Sequence, residues 1–220
     1  FFLTSIRLSA FLIAAPLFNA AFFMVRIRIL IAMVVSVIVF STQEVQVDVS
    51  VLTSAFGLVV IAKEIAIGAT AGLILTIMFS AATLAGEKIA TSAGLSYAAQ
   101  VDPVSGVQTP VVSQILALFL LAVFISVDGH LASLRIIIES YDFVPIGTLT
   151  LPSALIQGGM EATGSMFLNA SIIMLPVIIV VLLINVAAGI ITRSAPQLNL
   201  FSFVFPITIL GTFIILYFSL

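Results

Sequence analysis

The stretch ATGSMFLNASIIMLPVIIVVLLINVAAGIIT, Ala162–Thr192, runs for 31 residues without one charged side chain. As a helix it would measure about 46 Å, against a bilayer hydrocarbon core of about 30 Å. It reads as membrane-type helix that is too long for one straight span. Pro176 lies inside it and offers a kink, because proline removes an N–H and crowds the preceding turn.

The rest of the chain follows the same pattern. Of 220 residues, 62% are hydrophobic and 7% charged, with 7 Lys+Arg against 9 Asp+Glu. Mean hydropathy is +1.39. An ordinary soluble domain is about 25% charged, so this chain could not cover a water-facing surface. That excludes a soluble enzyme, a nucleic-acid binder and a disordered chain. The surface must be covered by lipid, by partners, or by both. The chain has no Cys, which excludes disulfides, thiolate nucleophiles and Cys-based metal sites. A single His makes the usual zinc site untenable. There is no H-E-x-x-H, no P-loop and no G-x-S-x-G, and the carboxylates are not clustered. The expectation is no enzyme, no cofactor and no metal. There is no Trp, and 3 Tyr stand against 18 Phe, so an aromatic interface belt is thin.

Charge-free stretches locate the helices. They are Leu8–Val25, Ile29–Gln43, Val49–Ala62, Ile65–Gly86, Pro103–Val127, Ala162–Thr192 and Ser194–Leu220. The length rule then gives about six helices and an all-α, membrane-associated fold of hairpins and kinked helices. The punctuation is unusual. Lys63-Glu64 and Glu87-Lys88 fall within helix-like sequence rather than in loops, and Glu161 and Arg193 bound the longest apolar block. A charge near a bilayer centre costs about 2.5–3.5 kcal/mol, so these six side chains are expected to be buried in protein or to face a pore. Lysine and arginine asymmetry gives no clean topology, since only Arg26, Arg28 and Arg193 are clear votes. Phe1 is not Met, and neither end has a polar tail, so the chain is expected to be a single domain over 1–220 trimmed at both ends. No A-x-A site follows the apolar Phe1–Ala15, which argues against a signal peptide.

Two features concern packing. Ala82, Gly86, Ala90, Gly94 and Ala98 recur every four residues, and Gly68-x-x-x-Gly72 does the same one segment earlier. Small stripes let helix backbones approach closely in a membrane. Lys88, Ser92 and Ser96, with Glu87 and Thr91, form a polar face on the same segment. Gln157, Glu161, Ser165 and Asn169 form another. Either face could line a water-filled path or a polar helix seam. Gly94–Pro110 reads as irregular, since Pro103 disfavours helix at Asp102 and Gly106 and Pro110 follow. Such backbone belongs at the surface or inside a protein-lined pore. Gly129 is expected to take the left-handed conformation that ends a helix, with His130 capping or hydrogen-bonded rather than relaying protons.

Three segments then carry a resemblance. The first is Ala85-Gly86-Glu87-x-Ile89 with Gly94-Leu95-Ser96-Tyr97, Asp102-Pro103 and Pro110. The second is Gly129-His130-Leu131 with Ser140 and Pro145-Ile146-Gly147. The third is Leu175-Pro176, Asn185, Gly189, Arg193-x-Ala195-Pro196-Gln197-x-Asn199-x-Phe201 and Phe205-Pro206. In order and spacing they resemble the FliR family of flagellar export-gate proteins, and Arg7, Pro16, Arg26 and Arg28 fit its N-terminal region. The resemblance implies a FliP-like part fused to a FliQ-like part. It also implies a ring closed with FliP and FliQ, an FlhB-like protein at the cytoplasmic entrance, and a conduit for unfolded flagellar subunits. The location implied is the bacterial inner membrane, in the flagellar basal body. The family's plug loop falls on Gly94, Tyr97, Gln100, Asp102, Pro103, Gly106 and Pro110. Gln100 stands where other members can have a second aromatic, and Met24 where many have Pro. The injectisome counterpart is similar. An independent secondary transporter is the other reading, resting on charges within helices, but the two related halves usual in such proteins are not visible.

Overall fold

The structure is a computed structural model that describes residues 2–17, 24–42, 55–95, 110–147, 153–194 and 200–219. Among them the chain is all-α, with no strand. Seven helices are described: α1 Phe2–Ala14, α2 Val25–Thr42, α3 Ala55–Ser92, α4 Val111–Ser126, α5 Gly129–Phe143, α6 Ser153–Ser194 and α7 Leu200–Ser219.

Long apolar runs form helix here although Val and Ile are only modest helix formers, because a lipid-facing backbone must satisfy its own N–H and C=O groups. Among the described residues two helices, Phe56–Ser92 and Ser153–Ser194, are long and apolar enough to cross a membrane. The pair α4 and α5 passes the same test together, broken by a bend of 68°. Helix α3 runs unbroken through both Lys63-Glu64 and Glu87-Lys88. Helix α6 runs for 42 residues, about 63 Å, and continues through Pro176. Proline therefore does not divide this element. The first charge-free stretch behaves differently from its expectation as a span. Helix α1 ends at Ala14, and residues 15–17 are bend and turn.

The end of α3 is a capping motif. The Leu95 N–H donates to Ala90 O at 2.9 Å and the Gly94 N–H to Thr91 O at 3.2 Å. Gly94 has φ +78. This is the Schellman arrangement, in which glycine takes the left-handed position and the next apolar residue packs back on the last turn. Leu95 does pack against the cluster that holds Ala90. The break between α4 and α5 also corrects an expectation. Asp128, with φ 55, takes the left-handed position, not Gly129. Gly129 instead begins α5, where a Cβ would lie 2.6 Å from the Phe124 ring.

Contacts divide the chain into two compact units. One comprises residues 1–79 and 121–164, the other 80–120 and 165–220. The first is centred on Leu8, Phe11 and Leu12 of α1 with Ala32, Val39, Ile137 and Tyr141. The second is centred on Ala82, Ala85, Ile89 and Ala90 of α3 with Val112, Leu116, Val177, Val181 and Leu216. On α6 the buried residues Ala170, Val177, Val181 and Ala188 follow one narrow seam. Around it Ile172, Leu175, Ile179, Leu182, Leu183, Val186 and Ile190 are exposed. A large apolar surface on the charge-free stretch Ala162–Thr192 of this helix requires lipid or partner helices against it.

Candidate functional site

Within the first unit, α1 and α3 lie in close contact along a stripe of α3 that repeats every four residues: Glu64, Gly68, Gly72 and Thr76. A Cβ on Gly68 would lie 2.1 Å from Arg7 O, and one on Gly72 would lie 2.6 Å from Ala14 Cβ. Thr76 Oγ1 donates to Ala14 O at 2.7 Å. Residue numbers rise together along both helices, so α1 and α3 run in the same direction. Helix propensity alone would favour Ala over Gly here by about 0.5–1 kcal/mol, but only glycine permits this approach.

That contact encloses a fully buried ion pair. Arg7 Nε donates to Glu64 Oε2 at 2.6 Å, and both side chains are 0% exposed. Arg7 Nη1 donates to Ser140 Oγ at 3.0 Å, and Nη2 donates to Val144 O at 2.9 Å. The guanidinium also stacks 4.1 Å from the centroid of the Tyr141 ring. The Tyr141 hydroxyl donates to Thr4 O at 2.8 Å. One cation thus ties α1, α3 and the C-terminal end of α5 together. Charged partners make these hydrogen bonds stronger than neutral ones, and the fork geometry of arginine serves several acceptors at once. Glu64 Oε1 is buried with no hydrogen-bond partner among the described residues. Lys63, next to it, is also buried.

In the second unit a matching close approach joins α3 to α4. A Cβ on Gly86 would lie 2.4 Å from Ser113 Cα and 2.6 Å from its backbone nitrogen. Ser113 Oγ donates to Thr83 O at 3.1 Å. Ala82 and Ala90 are buried beside it. The four-residue stripe stops there, because Gly94 lies beyond the helix in its left-handed cap. As a helix-packing residue Gly94 is therefore corrected: it terminates the face instead of extending it.

The charged side chains separate into two groups. Lys63 and Glu64 are buried, whereas Glu87, Lys88, Glu161 and Arg193 are exposed on the chain. Beside the second pair, Thr91 Oγ1 donates to Glu87 O and Ser92 Oγ to Lys88 O, both at 2.8 Å. These hydroxyls are satisfied by their own helix, so the polar character of that face rests on the two charges. On α6, Gln157 Nε2 donates to Glu161 Oε1 at 3.0 Å. Ser165 and Asn169 are exposed further along that helix. His130 is half-buried, and its Nδ1 makes no hydrogen bond among the described residues.

Of the seven residues matched to a plug loop, only Gly94 and Pro110 are described; Tyr97, Gln100, Asp102, Pro103 and Gly106 lie outside the described residues. The two anchors are well defined. Gly94 caps α3, and Pro110 O accepts the Gln114 N–H at 3.2 Å at the start of α4. Sequence reasoning missed Arg7 as the partner of Glu64. The signal available was that an apolar α1 carries one arginine and an apolar segment carries one glutamate beside Gly68-x-x-x-Gly72; 57 positions of separation hid the pairing. No group of three or more His, Asp or Glu side chains that could hold a metal occurs among the described residues.

Comparison with known proteins gives these features a family. The chain is 31% identical over 217 residues to "Flagellar biosynthetic protein FliR" of Buchnera aphidicola subsp. Baizongia pistaciae, covering 99% of this chain and 84% of that protein. It is 31% identical over 209 residues to the FliR of Escherichia coli (strain K12), covering 95% and 79%. It is 29% identical over 196 residues to "Surface presentation of antigens protein SpaR" of Shigella flexneri, covering 89% and 75%. The sequence profile described as "Bacterial export proteins, family 1" matches residues 1–220. An all-α membrane-type chain, similar over nearly its whole length to proteins of one kind, is thereby assigned: it belongs to family 1 of the bacterial export proteins.

Proposed function

We propose that the chain is a structural, pore-forming subunit of the flagellar type III protein export gate in the bacterial inner membrane. It acts as one domain over 1–220, closes a ring with FliP and FliQ, and meets an FlhB-like protein at the cytoplasmic entrance. The conduit passes unfolded flagellar subunits. Residues 94–110 form its plug, held between the capped end of α3 and the start of α4. The observation that carries this reading is the near full-length similarity to FliR proteins. The exposed apolar flank of α6 agrees with it, because a lone chain with that surface lacks the neighbours it is shaped for.

The plug role has a direct test. Deleting Val104–Gln108 should leave co-purification with the other gate subunits intact and raise ion conductance across the membrane. Normal assembly with unchanged conductance would remove the sealing role. A second reading, the injectisome counterpart, is favoured by the 29% identity to SpaR. Restoration of motility in a strain lacking its own FliR separates the two, since an injectisome subunit would not restore it.

A further inference from the structure

We infer that the groove between α3 and the N-terminal part of α6, within the first unit, receives an apolar helix of a neighbouring export-apparatus subunit that carries a basic side chain opposite Glu161. This deepens the export-gate reading and rests on it.

The groove has helical spacing on both walls. Thr70, Leu73, Ile74 and Ile77 line it from α3, and Leu155, Ile156, Gly159, Met160 and Thr163 from α6. The α3 set is i, i+3, i+4, i+7, and the α6 set holds the same spacing from Ile156 to Thr163 with Leu155 beside it, the stripe a helix presents to another helix. The groove measures about 350 Å³ and is open along its length, so it is a trough and not an enclosed small-molecule pocket. Its walls are bare at Leu73, Ile156 and Met160, the last two 73% and 72% exposed, and half-buried at Ile74, Ile77 and Leu155.

Gly159 lies open on the trough: a Cβ there would meet nothing within 4 Å, as at Gly164 and Gly189, so it leaves room for a partner backbone without by itself marking one.

Charge selects the occupant. The wall hydroxyls are already used, Thr70 Oγ1 donating to Ala66 O at 2.7 Å and Thr163 Oγ1 to Gly159 O at 2.8 Å. The polar feature left at the rim is Glu161, with Gln157 donating to one of its oxygens, in a continuation of the trough lined also by Ser153, Ile156 and Met160. An exposed carboxylate beside apolar walls is costly against hydrocarbon, and it repels the phosphate of a lipid headgroup. A Lys or Arg on a partner helix satisfies it, and apolar neighbours on that helix fill the trough.

The chain has no Cys, so Met160→Cys introduces a unique thiol. The variant is expressed with the other apparatus subunits and treated in membranes with a short bifunctional thiol-directed photo-cross-linker. The expected product is one adduct with the mass of a single co-expressed subunit. Its yield should fall at least tenfold with Glu161→Lys and recover when the basic residue in the cross-linked peptide is changed to Glu. An adduct insensitive to Glu161→Lys, an adduct with phospholipid, or an adduct of two copies of this chain overturns the inference. Co-purification of the apparatus subunits is measured on the same samples. Intact co-purification with no adduct from Met160→Cys or from Ile156→Cys rejects the groove alone. Failure of the unmodified chain to co-purify rejects the export-gate reading itself.

Discussion

Arg7 carries the least replaceable set of contacts in the first unit. Its guanidinium reaches Glu64, Ser140 and Val144 O and lies over Tyr141, with no exposed surface. Removing one partner of a buried pair leaves the other charged in an apolar interior, which typically costs about 3–5 kcal/mol. Arg7→Met or Glu64→Leu alone should therefore lower the unfolding stability of the detergent-solubilised complex by about that amount. The double variant should cost less than the two single changes together, because neither member of the pair is left charged without the other. A thermal or denaturant series on the three variants checks this. Additive losses would show that the pair does not act as a unit. Glu64 was legible in the sequence as a charge that lipid could not accommodate. Its partner was not, because pairing across elements depends on how helices dock, and one residue type at one position carries no signal of that.

At the scale of elements, the glycines separate contact from vacancy. Gly68 lies under Arg7 O with no room for a methyl, while Gly189 has nothing within 4 Å. Gly68→Ala should destabilise by about 1–3 kcal/mol through overpacking and reduce the yield of folded protein. Gly189→Ala should be neutral or stabilise by up to about 1 kcal/mol, since Ala favours helix over Gly. Folded yield by size-exclusion chromatography and melting temperature of both variants decide the matter. A stable Gly68→Ala would mean that α1 does not sit where it is described. Helices and their apolar stripes were readable from periodicity, because composition near hydrocarbon extremes leaves little alternative to helix. Their ends were less readable. Gly94 continued the four-residue pattern on paper, but its φ of +78 and the Leu95 to Ala90 hydrogen bond end the helix there. Pro176 offers a kink, and the helix continues through it from Ser153 to Ser194. At the α4–α5 break, Asp128 takes the left-handed conformation that was assigned to Gly129; Asp tolerates it, and Gly129 is required for its contact with Phe124.

For the whole molecule, function depends on what covers the apolar surface. Sixteen charges in 220 residues first read as a membrane protein. The helices add that α6 is far longer than a bilayer core and keeps apolar side chains exposed along much of its length. Lipid alone does not match that length, whereas partner helices would. The direct measurement is native mass spectrometry of the chain, co-expressed with the other export-apparatus subunits and extracted in mild detergent. A complex of fixed stoichiometry containing this chain together with FliP and FliQ is expected. A stable, folded monomer free of other subunits under those conditions would contradict it.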